Sequence, residues 1–401
     1  SMIVYPAAFG WPRRAWWRER LTAHRREIAL VAGLTALAAF LRFWQLSGIP
    51  DILNGDEGLH SLFARAILEG NFRHPFGTYY GSGTLHLFVA ALAQKLFGYT
   101  VLASRITPAI GGTLGVAATY LLARRLFDPP TAFISAGIVA VLHAHLQFSR
   151  VIGVGYIHTT LFGSLGLYLL WSALENHSRI RAALGGIVMG VWLYVYIDSR
   201  FLPLVLAIWG LLLLPTRAGR GFLFGGGNGR TLAAFLGGYA IAAAPMGLWA
   251  FRHWNDFNAR FSSDGTLWNE YYIRIRAGNP SLDLTGELLK QVSHAFLSIT
   301  RFPMADFYQS PAPMLDLITG SLFWLGLALT LLRVRDKRYL LLTVWLVAGT
   351  LSVGILTVPR SSDGYRMFIA FIAVVLIAAT AARELSASLA RALDRPRAQW
   401  A

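Results

Sequence analysis

The sequence contains no cysteine and few charged residues. The absence of cysteine excludes disulfides, thiolate metal sites and thiol redox chemistry. Charged residues make up 14% and hydrophobic residues 55% of the 401 positions, whereas an ordinary soluble domain has about 25% and about 45–50%. Acidic residues are scarcer than basic ones, with 20 Asp and Glu against 36 Lys and Arg. This composition excludes a soluble globular enzyme and indicates a protein that lies in lipid.

Ten apolar stretches can cross a bilayer, for which a helix needs roughly 20 residues. We therefore predict an all-α integral membrane protein with about ten transmembrane helices. The predicted spans are 27–46, 104–123, 131–147, 159–174, 182–197, 201–214, 231–251, 315–332, 339–357 and 364–382. A further apolar segment, Thr84–Gly98, is only 15 residues long and is predicted to lie at the outer surface without crossing.

The basic residues follow the membrane topology and do not indicate a nucleic-acid partner. They lie between the apolar spans, whereas a nucleic-acid-binding domain gathers them on one face. If Thr84–Gly98 does not cross, every tight basic cluster lies on the side of the N-terminus. We predict a prokaryotic plasma membrane protein with both termini cytoplasmic and two long outer segments, 47–103 and 252–313, which are too long to be simple connectors. The predicted division is a transmembrane module over 1–251, an outer segment over 252–314, and C-terminal helices with a cytoplasmic tail over 315–401.

An acidic pair, Asp56 and Glu57, lies near the start of the first outer segment, ahead of a helical pattern. One interpretation is that Asp56 is simply a helix N-cap, because acidic residues are favoured there. The other is that the pair faces a cavity at the membrane rim, where a carboxylate accepts a proton from a hydroxyl nucleophile. His60 follows Asp56 at a spacing that brings two side chains together on one helix, so these two residues could hold a divalent metal ion.

Arginines recur in the other outer loops. Arg150 follows the third span, Arg200 lies between the fifth and sixth, and Arg366 precedes the last. Asp198 and Arg200 are predicted to form an ionised pair at the rim. Each arginine could anchor to a lipid headgroup, whereas several that converge on one cavity would form a good phosphate site. The sequence leaves both interpretations open.

Several short motifs follow one another in a definite order. They are Asp56-Glu57, Leu96-Phe97-Gly98, Ser104-Arg105, Pro108-Ala109, Ala123-Arg124-Arg125-Leu126-Phe127, Ser149-Arg150, Ser199-Arg200-Phe201-Leu202-Pro203 and Tyr365-Arg366. Their order and spacing resemble those of the membrane glycosyltransferases of the GT-C fold, in the branch of the protein O-mannosyltransferases and the lipid A aminoarabinose transferases. The resemblance covers residues 27–383 and implies a GT-C-like bundle with juxtamembrane helices in the first outer loop.

The resemblance implies an enzyme that moves a sugar from a polyprenyl-phosphate donor to a glycan, lipid or protein acceptor on the non-cytoplasmic side. Asp56 would be the catalytic base, Glu57 would order the loop or a neighbouring basic group, and the acceptor would displace the lipid phosphate with inversion. The lysine that aminoarabinose transferases carry after a tyrosine pair is absent here. The donor is therefore expected to contact Tyr80, Arg150, Tyr156, His158, Arg200 and Arg366.

A transporter or flippase for a polyprenyl-linked or other amphipathic substrate is the competing interpretation. Transporters place ionisable groups near the middle of the membrane. Here the mid-span positions are overwhelmingly apolar and the acidic pair lies outside the spans. A scaffold without chemistry would leave the long polar outer segments unexplained. The sequence therefore favours the enzyme.

Overall fold

The computed structural model describes residues 25–72, 74–79, 81–151, 155–264, 278, 281, 283–304, 312–356 and 366–393. Within these ranges the chain is helical almost throughout, apart from short connecting turns and one hairpin. The hairpin joins strands β1 (Thr78–Tyr79) and β2 (Ser82–Gly83), which pair antiparallel.

The α-helices are numbered in chain order. They are α1 (Arg25–Phe43), α2 (Gly55–Leu68), α3 (Leu85–Phe97), α4 (Val101–Leu126), α5 (Pro129–Val141), α6 (His143–Phe148), α7 (Thr159–Asn176), α8 (Arg179–Trp192), α9 (Phe201–Leu213), α10 (Arg217–Phe224), α11 (Asn228–Arg252), α12 (Trp254–Phe257), α13 (Ala259–Asp264), α14 (Leu284–Leu297), α15 (Leu317–Leu332), α16 (Lys337–Leu356) and α17 (Phe371–Leu393). Short 3₁₀ turns occupy Gly155–His158, Ile197–Arg200, Gly225–Gly227 and Arg366–Ala370.

The described residues of the ten predicted spans are mainly helical, with 131–147 divided between α5 and α6, so the predicted all-α membrane architecture is confirmed. Five helical stretches are long and apolar enough to cross a membrane on their own: Val101–Leu126, Gly155–Asn176, Arg217–Arg252, Lys337–Leu356 and Arg366–Leu393. Shorter apolar helices include α5 and α15. The number of crossings stays a prediction.

The apolar segment that we predicted to lie outside the membrane forms α3. This helix has 13 residues, which at 1.5 Å per residue gives a length of about 20 Å, short of the roughly 30 Å of hydrocarbon. It packs against α2 and α4. The first outer loop therefore contains two helices, as expected for the juxtamembrane helices of a GT-C-like bundle.

Small residues let the long helices approach closely. A Cβ atom added at Gly186 of α8 would lie 2.0 Å from the carbonyl oxygen of Phe235 in α11, and one at Gly326 of α15 would lie 2.0 Å from that of Ile377 in α17. Membrane helices associate through such close packing because lipid provides no hydrophobic drive between them. At the centre, every residue from 371 to 381 of α17 is buried.

Candidate active site

The start of the first outer loop is held by a buried ion pair. Arg105 of α4 donates hydrogen bonds to both carboxylate oxygens of Glu57, at 3.0 and 3.1 Å. Its remaining N–H groups bond to the carbonyl oxygens of Leu46, Pro50 and Ile52. Glu57 is 0% and Arg105 1% exposed. The role predicted for Glu57, to order the loop and a basic neighbour, agrees with these contacts.

Asp56 lies next to this pair but is exposed. Helix α2 begins at Gly55, and the Asn54 side chain accepts a hydrogen bond from the backbone N–H of Glu57 at 2.8 Å. Asn54 is therefore the N-cap, and the interpretation of Asp56 as the cap is wrong. Asp56 occupies the first turn, where the helix dipole favours a negative charge.

A histidine cluster lies beside the same helix. The ring centroids of His60 and His86 are 5.3 Å apart. Burial, and then the neighbouring His60 and His158, lower the pKa of His86 well below its usual value. In the described part of the chain no group of three or more His, Asp or Glu side chains is arranged to hold a metal ion. Asp56 and His60 alone offer fewer than the three protein ligands of a catalytic zinc site.

Arg150 has a structural role at the C-terminus of α1. Its N–H groups donate to the carbonyl oxygens of Leu41, Arg42, Trp44, Gln45 and Ile49 at 2.6–3.2 Å. These contacts use all five donors of a guanidinium and place its charge at a helix end that favours it. Because these contacts use every N–H group, the geometry argues against a phosphate contact by Arg150, and its predicted donor contact stays a prediction.

A cavity of about 170 Å³ brings together residues from several outer loops. Its polar lining consists of Tyr156, Tyr196, Asp198, Arg200, Arg260, Ser352 and Arg366. Its apolar lining consists of Ile197, Phe201, Leu204, Val353, Leu356 and Ile369. Three of the predicted donor-binding residues, Tyr156, Arg200 and Arg366, thus meet in one space. The tyrosine rings stand edge to face, with centroids 4.9 Å apart.

Arg200 connects this cavity to both long outer segments. Its Nη2 donates to the carbonyl oxygen of Gly81 at 2.7 Å, and its Nη1 donates to that of Phe257 at 3.0 Å. The guanidinium also lies 3.6 Å from the centroid of the Phe257 ring. Unlike Arg150, it uses only two of its five N–H groups on described residues, so donors remain for a ligand.

Arg260 is a lining residue that the sequence did not single out. It belongs to α13, whose backbone packs on the β-hairpin turn. Gly81 has φ +76°, and a Cβ atom there would lie 3.1 Å from the backbone nitrogen of Arg260. The only available signal was the unusual length of the second outer segment, which does not identify a residue.

A family model and several curated relatives match at most about half of the chain. The family model "Dolichyl-phosphate-mannose-protein mannosyltransferase" matches residues 82–225. The undecaprenyl phosphate-alpha-4-amino-4-deoxy-L-arabinose arabinosyl transferase of Pseudomonas aeruginosa (strain UCBPP-PA14) is 30% identical over 227 residues, which cover 52% of this chain and 40% of that protein. The dolichyl-phosphooligosaccharide-protein glycotransferase 3 of Archaeoglobus fulgidus is 27% identical over 143 residues, covering 31% of this chain and 16% of that protein.

Solved structures match nearly the whole chain. ArnT from Cupriavidus metallidurans bound to undecaprenyl phosphate superposes with a TM-score of 0.54 and 16% identity over 90% of this chain and 60% of that one. The archaeal oligosaccharyltransferase AglB from Archaeoglobus fulgidus gives a TM-score of 0.53 and 17% identity over 92% and 51%. This chain has the GT-C fold. The resemblance predicted from the motifs is confirmed, although the match spans only 40% of the length of the first curated relative.

Within this GT-C bundle, Asp198 is the acidic residue of the cavity. It is 2% exposed. Its Oδ2 accepts a hydrogen bond from the Thr159 hydroxyl, while its Oδ1 has no hydrogen-bond partner among the described residues, although the Trp192 indole lies nearby. The predicted ionised pair of Asp198 and Arg200 is therefore not formed. Burial raises the pKa of Asp198 to about 8, against the opposing effect of its hydrogen bonds.

The other predicted residues are not among the described residues that line this GT-C cavity, or they lie outside the described residues. His158 is buried against Gly111 of α4, where an added Cβ atom would lie 2.6 Å from the His158 Nδ1. Asp56 is not among the described residues that line the cavity. Tyr80 and Tyr365 lie outside the described residues.

Proposed function

We propose that this chain transfers a sugar from a polyprenyl-phosphate-linked donor to an acceptor on the non-cytoplasmic side of the membrane. The cavity of about 170 Å³ described above, called the arginine cavity from here on, carries this proposal. Arg200, Arg260 and Arg366 meet there beside apolar side chains such as Leu204 and Leu356. Guanidinium groups bind phosphate through paired hydrogen bonds, and the apolar wall suits the first isoprene units of a lipid chain.

The names of the relatives support the same substrate class. The curated relative acts on an undecaprenyl phosphate sugar by its name, and the ArnT structure contains undecaprenyl phosphate. In this chain, Arg200 and Arg366 are two of the residues that the sequence predicted to contact the donor. We therefore assign the donor phosphate to the arginine cavity, with Arg260 in the place that the sequence gave to Arg150.

The reaction is a displacement at the anomeric carbon of the donor sugar. The acceptor hydroxyl oxygen forms the new bond, the bond from that carbon to the phosphate oxygen breaks, and its electron pair leaves with the lipid phosphate. The arginines stabilise the negative charge that develops on the phosphate. We propose Asp56 as the base that takes the acceptor proton, held at the rim by the Glu57–Arg105 pair. One displacement of this kind inverts the anomeric configuration.

In its neutral form, the carboxyl group of Asp198 complements the donor phosphate. With a pKa of about 8, the carboxyl group is mostly protonated at neutral pH. A protonated carboxyl group donates a hydrogen bond to an anion, whereas a carboxylate would repel it. We propose that Asp198 adds a hydrogen-bond donor to the positive charges of the arginines.

Purified full-length protein in lipid nanodiscs tests the proposal. It is incubated with candidate undecaprenyl-phosphate sugars and a membrane glycolipid extract, and mass spectrometry follows the release of undecaprenyl phosphate. At a donor concentration below the KM, we expect release that Arg366→Ala lowers strongly and that Arg391→Ala, an exposed control, leaves unchanged.

A second reconstitution, into sealed proteoliposomes, distinguishes the enzyme from a transporter. In sealed proteoliposomes a flippase moves the donor between leaflets and leaves its sugar–phosphate bond intact. Donor movement without any release of undecaprenyl phosphate would contradict the enzyme.

A further inference from the structure

A second pocket, of about 310 Å³, lies between α2, α3 and the start of α4. Helix α2 contributes Gly58, Ser61, Leu62 and Arg65 to its wall. With 3.6 residues per turn, these residues lie on the face of α2 opposite Asp56. None of the described residues that line this pocket also lines the arginine cavity.

The wall of this pocket contains an unpaired buried acceptor. Gln94 of α3 is 4% exposed, and its Nε2 donates to the carbonyl oxygen of Ser61 at 3.0 Å. Its Oε1 is buried and has no hydrogen-bond partner among the described residues. Folded proteins rarely leave such an acceptor unpaired, so an unpaired oxygen in a pocket wall indicates a ligand with an N–H or O–H donor. The hydroxyl groups of Ser61 and Ser104, 2.8 Å apart, lie in the same wall.

The charge in this pocket is already compensated. Arg65 donates to the Glu69 carboxylate at 2.7 Å, and its guanidinium lies 5.2 Å from the centroid of the Tyr99 ring. An anionic ligand would have to compete with Glu69 for this arginine. A neutral ligand with hydroxyl groups is therefore favoured.

The apolar part of the wall suits a ring-shaped ligand. Tyr99, Leu53 and Leu62 are 62%, 50% and 63% exposed, so an aromatic face and two leucines surround the polar groups. Small-ligand sites are mostly apolar with a few placed polar groups and enclose about 300–1,000 Å³. The pocket is at the lower end of that range, which fits a single sugar ring.

We propose that this pocket binds a pyranose ring of the acceptor, with a sugar hydroxyl donating to Gln94 Oε1 and the apolar face of the ring against Tyr99. The assignment of this ring to the acceptor rests on the proposed function. The binding of a sugar in this pocket does not depend on it. Because the pocket and Asp56 lie on opposite faces of α2, an acceptor that reaches both is longer than one sugar. The acceptor is then a glycan or a glycolipid.

Saturation-transfer NMR on the full chain in detergent tests sugar binding, with the methyl pyranosides of glucose, galactose, mannose and N-acetylglucosamine as probes. We expect transfer to at least one pyranoside, reduced roughly fivefold in Gln94→Leu by the loss of one neutral hydrogen bond and reduced likewise in Tyr99→Ser. Lys95→Gln, on the exposed side of the same helix, is the matched control and keeps the signal.

Thermal melting shows whether each variant is folded, and Tyr99→Ser at the exposed rim keeps the test valid if Gln94→Leu unfolds. No transfer to any pyranoside would overturn the proposal. A signal that survives both substitutions, or that disappears in Arg366→Ala, would overturn it as well. In the transfer reaction, Gln94→Leu should raise the KM for the acceptor and leave kcat unchanged. Sugar binding without release of undecaprenyl phosphate from any donor would count against the proposed function and not against the pocket.

Discussion

The number of uncommitted N–H donors decides what each arginine of this protein can bind. Arg150 gives all five to backbone carbonyl oxygens, whereas Arg200 gives two to the residues that the structure describes. In the sequence both follow a serine at the outer end of a span, and nothing local distinguishes them. The difference arises because the end of α1, about a hundred positions before Arg150, presents a set of unpaired carbonyl oxygens.

Replacement of the arginines should separate the two roles. Arg366→Ala should raise the KM for the donor about 10–100-fold, as expected for charge-assisted hydrogen bonds to a phosphate, and Arg366→Lys should recover part of that loss. Arg150→Ala should instead lower the melting temperature, because carbonyl oxygens at the end of α1 lose their partners. Donor titration and thermal melting measure both effects. A larger KM increase in Arg150→Ala than in Arg366→Ala would contradict these assignments.

Asp56→Asn tests the proposed base. General-base catalysis contributes about 10²–10⁴ in rate, so turnover should fall by that range while the fold and donor binding persist. Asn54→Ala is the matched control, because it removes the true N-cap, costs about 1 kcal/mol of stability and leaves the carboxylate in place. Turnover per folded molecule should be nearly normal in the control. Normal turnover in Asp56→Asn would exclude Asp56 as the base.

Asp198 predicts a pH dependence of donor binding. Its pKa is raised from the ordinary 3.8 to about 8, so the carboxyl group ionises as the pH rises through about 8 and then repels the phosphate. The KM for the donor should rise between pH 7 and pH 9, and Asp198→Asn should remove that rise. The folded chain holds this proton more tightly than the unfolded chain. The stability contribution of Asp198 is therefore present at low pH and falls as the pH rises from the ordinary pKa of 3.8 to the folded pKa of about 8. A KM profile unchanged by Asp198→Asn would contradict the proposed hydrogen bond.

At the scale of elements, the apolar runs predicted the helices well and the contacts of their ends poorly. The predicted spans are mainly helical because an apolar run of this length has to bond its backbone internally in lipid. The N-cap of α2 was placed two residues late, because Asn54 and Asp56 are both good capping residues. The sequence did not point to Arg260, because the position of this residue depends on a contact between the hairpin of the first outer segment and α13 of the second. These two segments are far apart in the sequence.

The Glu57–Arg105 pair should contribute far more stability than the exposed ion pairs. Breaking a buried pair leaves an uncompensated charge and costs about 3–5 kcal/mol, so Glu57→Gln should lower the melting temperature markedly. The control is Glu69→Gln, which breaks the exposed pair of Arg65 and Glu69 and should leave the melting temperature nearly unchanged, because solvent screens exposed pairs. Differential scanning fluorimetry in detergent compares the two. Equal melting temperatures would show that the first outer loop does not depend on the pair.

At the scale of the whole molecule, the GT-C bundle accounts for both long outer segments. The first forms α2, the hairpin and α3, and the second begins with α12 and α13. Through Gly81 and Phe257, both contact Arg200 at the cavity. The second segment thus contributes Arg260 to the cavity wall and the first contacts Arg200 through Gly81, whereas composition and periodicity predicted both only as outer loops.

The basic clusters predict the orientation of this assembly, and the chain offers a clean test because it has no cysteine. Single cysteines at Asn71, Tyr99, Pro130 and Asn176 are probed in intact cells with a membrane-impermeant maleimide. If both termini are cytoplasmic and α3 does not cross, Asn71→Cys and Tyr99→Cys flank α3 on the outer side and react directly. Pro130→Cys and Asn176→Cys lie beside the basic clusters that the positive-inside rule places in the cytoplasm, so they should react only after lysis. Reaction of Pro130→Cys from outside would reverse the orientation of α4 and remove α3 from the outer surface, together with the outward-facing site.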